Sequence, residues 1–213
     1  MRRPLPPPDR WGYRGYCVCL MVQGPIGDAV LGIQSSLGVT PPMPPHVTVK
    51  GTFVSPDSLD LVRDSVCQHA QQLAPLELRL SELLVWGGER RLLVISADAS
   101  AELQSLHENL YQAIEPISTN IYGGTGEESV RGFHYHVTIY QRVDEATHSR
   151  GLGAAERLPL PGLYQADSLH LMGRATQQDG TSAWTVVDRY PFGLPCRVDG
   201  AGCPAPSPSD PSV

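Results

Sequence analysis

Apolar positions along the chain switch between two periods. Over residues 13–22 aromatic and aliphatic residues crowd together, which reads as a strand. Ile26, Val30, Ile33 and Leu37 then recur at helical spacing and predict a helix over 25–37. A Pro-rich loop at 41–45 leads into a second strand at 46–54. Ser55-Pro56 reads as the cap and first-turn proline of a second helix, with Leu59, Val62, Val66 and Leu73 inward. Residues 76–86 read as a third strand, turned at Gly87-Gly88 into a fourth at 91–97.

The order then recurs. Ser100 is placed to cap a helix whose inner face is Leu103, Leu106, Leu110 and Ile114. A polar loop at 118–131 leads to a strand at 133–142, a weak helix from Asp144, and strands at 163–173 and 183–190. Both halves run strand, helix, loop, strand, helix, strand, a weak repeat of about 90 residues; on element order alone a single α/β domain without a repeat reads equally well. Alternation without a linker predicts an α+β fold with one folded unit at 13–194. The Pro-rich leader 1–12 and the Pro/Gly/Ser-rich tail 195–213 are too poor in apolar residues to fold alone and are expected to be disordered.

The repeat sharpens at one tripeptide. His46-Val47-Thr48 and His136-Val137-Thr138 occupy the corresponding strand of each half. One His-x-Thr occurs readily by chance, but two in equivalent strands do not. Residues i and i+2 of a strand share a face, so each motif sets an imidazole beside a hydroxyl and turns its valine the other way. By the same phase Lys50 joins His46 and Thr48, while His134, Tyr140 and Arg142 join His136 and Thr138. Two imidazoles, two hydroxyls and two cations suit phosphate chemistry. A neutral imidazole takes a proton, a protonated one gives one, and both forms exist near pH 7. Thr48, Thr138, Lys50 and Arg142 are the candidate phosphate holders. His134 and Tyr140 are candidates for a cleft wall or a base-stacking surface, with Phe133, Tyr122 and Trp86 as further stacking candidates.

The paired motifs, and the stretch Pro-His-Val-Thr-Val-Lys-Gly-Thr-Phe above all, resemble the two-histidine phosphoesterase superfamily, in its 2′,5′-RNA ligase-like and RNA 2′,3′-cyclic phosphodiesterase branch. The resemblance spans roughly 13–190 through element order. It implies a bilobal, pseudo-two-fold fold. Each lobe would be an antiparallel sheet with helices on its outer face, and one His-x-Thr strand per lobe would line a central cleft. It implies His46 and His136 as the catalytic pair, with Thr48 and Thr138 holding phosphate. Cyclic phosphate would be opened to a 2′-phosphate without metal or cofactor, with 2′,5′ ligation as a related activity. The implied partners are RNA ends or small nucleotides carrying a cyclic phosphate or a 2′,5′ linkage.

Charge bounds this reading. The net charge is −6, with 15 arginines and a single lysine, Lys50. That disfavours a long basic footprint on nucleic acid but not one phosphate in a local pocket. No run of 18 apolar residues is present, so no membrane helix is expected. The leader lacks the apolar core of a secretory signal, and a cytoplasmic monomer is expected. Cys17 and Cys19 alternate on the first strand and read as small buried hydrophobes. A metal pair is the lesser reading, because no second cysteine pair with zinc spacing accompanies them. Two other readings of the whole remain. One is a noncatalytic module that binds RNA ends or nucleotides in the same cleft. The other is a strand-based metal enzyme at His134 and His136. Gly123-Gly124-Thr125-Gly126 lacks the Lys-Ser/Thr of a nucleotide loop and reads as a loop bordering the second motif. His69, His107, His148 and His170 are not expected to take part in catalysis.

Overall fold

A computed structural model describes residues 6–86, 91–121, 132–177 and 180–195. The Gly87-Gly88 turn, Tyr122, the loop at 123–126 and the tail from 196 lie outside these residues.

The first half runs β1 (Tyr13–Met21), α1 (Gly24–Ser36), β2 (His46–Val54), α2 (Leu59–Gln71) and β3 (Leu76–Trp86). The second runs β4 (Leu92–Ala97), α3 (Ala101–Ile114), β5 (Thr119–Asn120), β6 (His136–Tyr140), α4 (Glu145–Ala155), β7 (Gly162–Ala166), β8 (Ser168–Thr176) and β9 (Ser182–Pro191). The expected alternation holds, with three local differences. Ser55 does not open α2; its hydroxyl donates to the Ile117 carbonyl at 2.8 Å, and the helix starts at Leu59 behind Ser58. The single strand expected over 163–173 is two strands, β7 and β8, which pair with β3 and β1 respectively. The expected loop at 118–131 holds the short strand β5, paired with the end of β2. Ser100 does cap α3, accepting from the Leu103 amide at 3.2 Å.

The strands form one antiparallel sheet in the order β7-β3-β4-β6-β2-β1-β8-β9, with β5 beside β2. The two motif strands, β2 and β6, are the central pair, so the sheet runs continuously across them. Outward from this seam the β2 side runs β1, β8, β9 and the β6 side runs β4, β3, β7, so each side draws strands from both halves of the chain. The helices supply one large core. Ile26, Val30 and Ile33 of α1, Leu59, Val62 and Val66 of α2, and Leu103, Leu106 and Leu110 of α3 pack on Val18, Leu20, Val47 and Val137.

That core sets the register of the motif strands. Val47 and Val137 are fully buried, while the flanking His46, Thr48, His136 and Thr138 are half-buried. Each buried valine is worth about 1.5–3 kcal/mol. A one-residue slip would surrender both and push imidazoles into an apolar layer.

Candidate active site on the open face of the sheet

The motifs meet at the seam. Val47 pairs with Val137 across β2 and β6. Continuing that antiparallel register by one residue sets His46 opposite Thr138 and Thr48 opposite His136. Each imidazole therefore lies across from the other motif's hydroxyl. The two histidines are diagonal neighbours, roughly 7–8 Å apart at the backbone.

Both rings are fixed in the same way. His46 Nδ1 lies 2.7 Å from the Pro44 carbonyl and His136 Nδ1 lies 2.8 Å from the His134 carbonyl. A carbonyl only accepts, so Nδ1 carries the proton in both rings. Nε2 is then the nitrogen available to a substrate, as acceptor when neutral and donor when charged. Burial lowers the His46 pKa; the Pro44 carbonyl opposes this and a charged His136 adds to it. His136 is lowered by burial, opposed by the His134 carbonyl and assisted by the His134 ring. Trp86 closes one side. Its ring meets His136 edge-on at 4.7 Å between centroids and His134 at 5.8 Å. His134 itself is exposed.

Three expected site residues are placed elsewhere, and β-bulges are the main cause. Between β1 and β2 the register slips from Cys19↔Thr48 to Val18↔Lys50. Between β4 and β6 it slips from Val94↔Thr138 to Leu93↔Tyr140. One extra residue, Val49 or Ile139, enters each motif strand just after its threonine and reverses the phase beyond it. Lys50 and Tyr140 therefore turn to the helix side. The Lys50 ammonium is fully buried, donates to Asn120 Oδ1 at 2.5 Å and lies 4.2 Å from the Tyr111 ring centre. Its pKa is pushed down to about 8 by burial, with Glu115 opposing. The Tyr140 hydroxyl donates to the His148 carbonyl at 3.0 Å. Arg142 lies beyond the end of β6, exposed, with φ of 60°. The strand phase that grouped it with His136 does not reach it.

The bulges are themselves held from the helices. His107 Nδ1 of α3 donates to the Val49 carbonyl at 2.5 Å, and Gln34 Nε2 of α1 donates to the Ile139 carbonyl at 2.8 Å. The carbonyl displaced from each ladder thus keeps a partner. His107 also stacks on Phe133 at 4.4 Å, which places that aromatic on the helix side.

The register brings in residues that sequence reasoning set aside or did not single out. Cys19 is directly opposite Thr48, and His170 of β8 is directly opposite Cys19. Ser96 of β4 is opposite His136. One row across the open face therefore runs His170, Cys19, Thr48, His136, Ser96. His170 is pushed down to about 4 by burial and by Arg189, with Asp167 opposing. No local pattern relates the phase of β8 to that of β2, so only the pairing shows this. Among the described residues, no group of three or more His, Cys, Asp or Glu side chains is gathered for a metal ion.

The sequence profile of the 2′-5′ RNA ligase superfamily matches residues 37–178, about two thirds of the chain and both motifs entire. The chain belongs to the 2′-5′ RNA ligase superfamily. Solved structures share its fold at low identity. TT0787 of Thermus thermophilus is 16% identical with a TM-score of 0.59, covering 84% of this chain and 98% of its own. E. coli LigT in apo form is 16% identical with a TM-score of 0.58, covering 84% of this chain and 96% of its own. LigT has also been solved with 3′-AMP, at 16% identity and a TM-score of 0.55, with the same coverage. No curated protein sequence matches the chain. Phosphoesterase and ligase-like activity is thus the superfamily's character, and this member carries an α+β fold of the same kind. No described helix is long and apolar enough to cross a membrane.

Proposed function

We propose that this chain hydrolyses 2′,3′-cyclic phosphates, on RNA ends or nucleotides, to 2′-phosphates by acid–base catalysis between His46 and His136. The observation that carries the reading is the matched tautomer. Both Nδ1 atoms are committed to backbone carbonyls, which leaves two Nε2 atoms on one face, each beside a threonine. His136 Nε2 takes the proton of a water in line with the P–O3′ bond. The water oxygen bonds to phosphorus, the P–O3′ bond breaks, and His46 Nε2–H gives its proton to the departing 3′-oxygen. Thr48 and Thr138 donate to the non-bridging oxygens. Trp86, already edge-on to His136, borders the place where a nucleobase would stack. The 3′-AMP complex of E. coli LigT supports a nucleotide ligand, and 2′,5′ joining would use the same groups in reverse.

The test is a panel of 2′,3′-cyclic and 2′,5′-linked substrates given to chelator-treated protein, read for product isomer. Turnover to the 2′-phosphate is expected. Tight product binding without turnover would establish a binding module instead. Turnover that returns only with added metal would move the chemistry to a metal site.

The lowered imidazoles set the pH dependence. The acid must be charged, and a lowered pKa means that charge is lost at lower pH. The kcat/KM profile should be bell-shaped with its maximum below the ordinary imidazole value of about 6.5. A bound phosphate anion favours the imidazolium, so the kcat maximum should lie at higher pH than that of kcat/KM. A kcat/KM maximum in the alkaline range would contradict the assignment.

A further inference from the structure

Beside Thr48 the open face carries a second buried cluster, separate from the main core. Its buried members are Cys17, Cys19, Met43 and Met172, with Trp184 packed at its rim. All four carry sulfur; the other buried sulfur side chains among the described residues, Met21 and Cys67, lie outside this cluster. Apolar packing accounts for the burial of each side chain. It does not require that every buried member of one cluster carry sulfur, because thioethers and thiols fill gaps anywhere in a core.

We propose that these four residues form a binding site for a soft monovalent metal ion, Cu(I). The two thiols already stand at ligand spacing. Cys17 Sγ and Cys19 Sγ are 3.6 Å apart. Two sulfurs held ~2.3 Å from a tetrahedral ion are about 3.8 Å apart. A disulfide is a poor use of the pair. Alternate residues of an extended strand have Cα atoms about 6.6 Å apart with parallel Cβ vectors, at the far end of disulfide geometry.

The thioethers come from two other elements. Met172 of β8 is the direct register partner of Cys17. Met43 comes from the Pro-rich loop, which is tied to β9 where the Trp184 amide donates to the Pro42 carbonyl at 3.2 Å. These thioethers supply the second donor pair that cysteine spacing alone does not contain. Thioether donors select Cu(I) over Zn(II) and the hard cations. On binding, two S–H protons pass to solvent as two Cu–S bonds form, and no electron is transferred. Cys19 Sγ lies 4.0 Å from Thr48 Oγ1, so the site adjoins the phosphate-holding hydroxyl without sharing a residue with it.

The test is an anaerobic titration of the full chain with Cu(I) against a chromophoric Cu(I) chelator, with Zn(II) as a parallel arm. One Cu(I) per chain is expected, with a sulfur-only shell at about 2.2–2.3 Å by X-ray absorption. Cys17→Ser and Cys19→Ser should each abolish competition with the chelator. Met43→Leu and Met172→Leu keep volume and packing, and each should weaken Cu(I) about 10-fold while leaving Zn(II) unchanged. The proposal is overturned if the wild type fails to compete, if the serine variants retain the ion, or if neither leucine variant moves the affinity. None of these readouts depends on phosphodiesterase activity.

Discussion

Replacing His46 or His136 with alanine is expected to lower cyclic-phosphate turnover by about 10²–10⁴-fold, while circular dichroism and thermal unfolding stay close to wild type. That range is what a positioned acid or base contributes. The fold is spared because each ring makes one hydrogen bond to a neighbouring carbonyl, and the register is held by Val47 and Val137 behind it. The double variant should fall little further than the worse single one, since acid and base act in one step. Leaving-group dependence then separates the roles. An ester whose leaving group needs no proton should partly rescue His46→Ala and leave His136→Ala unrescued. Wild-type turnover in either single variant would end the two-histidine mechanism for this chain.

The second large effect belongs to Lys50, and it is on stability. Its folded pKa, about 8, lies below its ordinary value of 10.5. Between these two values the unfolded chain holds the proton and the folded chain has released it, so this group makes stability rise with pH across that window. Below it, the amine is charged in both states and the cost of burying that charge is carried in full. Relative to Lys50→Met, the wild type should therefore gain stability between pH 8 and pH 10.5. The gain is on the order of 3 kcal/mol for a shift of this size. At neutral pH the variant escapes the charge-burial cost but leaves Asn120 Oδ1 without its donor, worth about 1–3 kcal/mol, so the two effects offset. Urea unfolding of both proteins at pH 7.5 and 10 measures this. Parallel pH dependences would refute it. Turnover should respond far less to Lys50→Met than to either histidine change, because the ammonium lies on the opposite side of the sheet.

How much is legible in the chain follows from which interactions are local. The motifs, the strand at 46–54, the Ser100 cap and the element order are written in neighbouring residues. Lys50, Tyr140 and Arg142 escape a sequence reading because a period of two assumes an unbroken ladder. The bulges after Thr48 and Thr138 are stabilised by His107 and Gln34, which lie 58 and 105 residues from the carbonyls they hold. The segment 163–173 reads as one strand because Asp167 alone marks the break. That one residue separates strands that lie toward opposite ends of the strand order. His170 acquires meaning only once strands far apart in sequence are paired, and the same pairing singles out Trp86 among the aromatic candidates.

The crossed reach of the two helices has a consequence for the chain as a whole. α1, from the first half, packs on β6, and α3, from the second half, packs on β2. Each half therefore lends a helix to brace the other's motif strand, like two hands each gripping the opposite wrist. Neither half can complete its own histidine strand alone. A chain severed between β3 and β4 should yield two fragments that are unfolded apart and active only as a reassembled pair, so acid and base are inherited together or not at all.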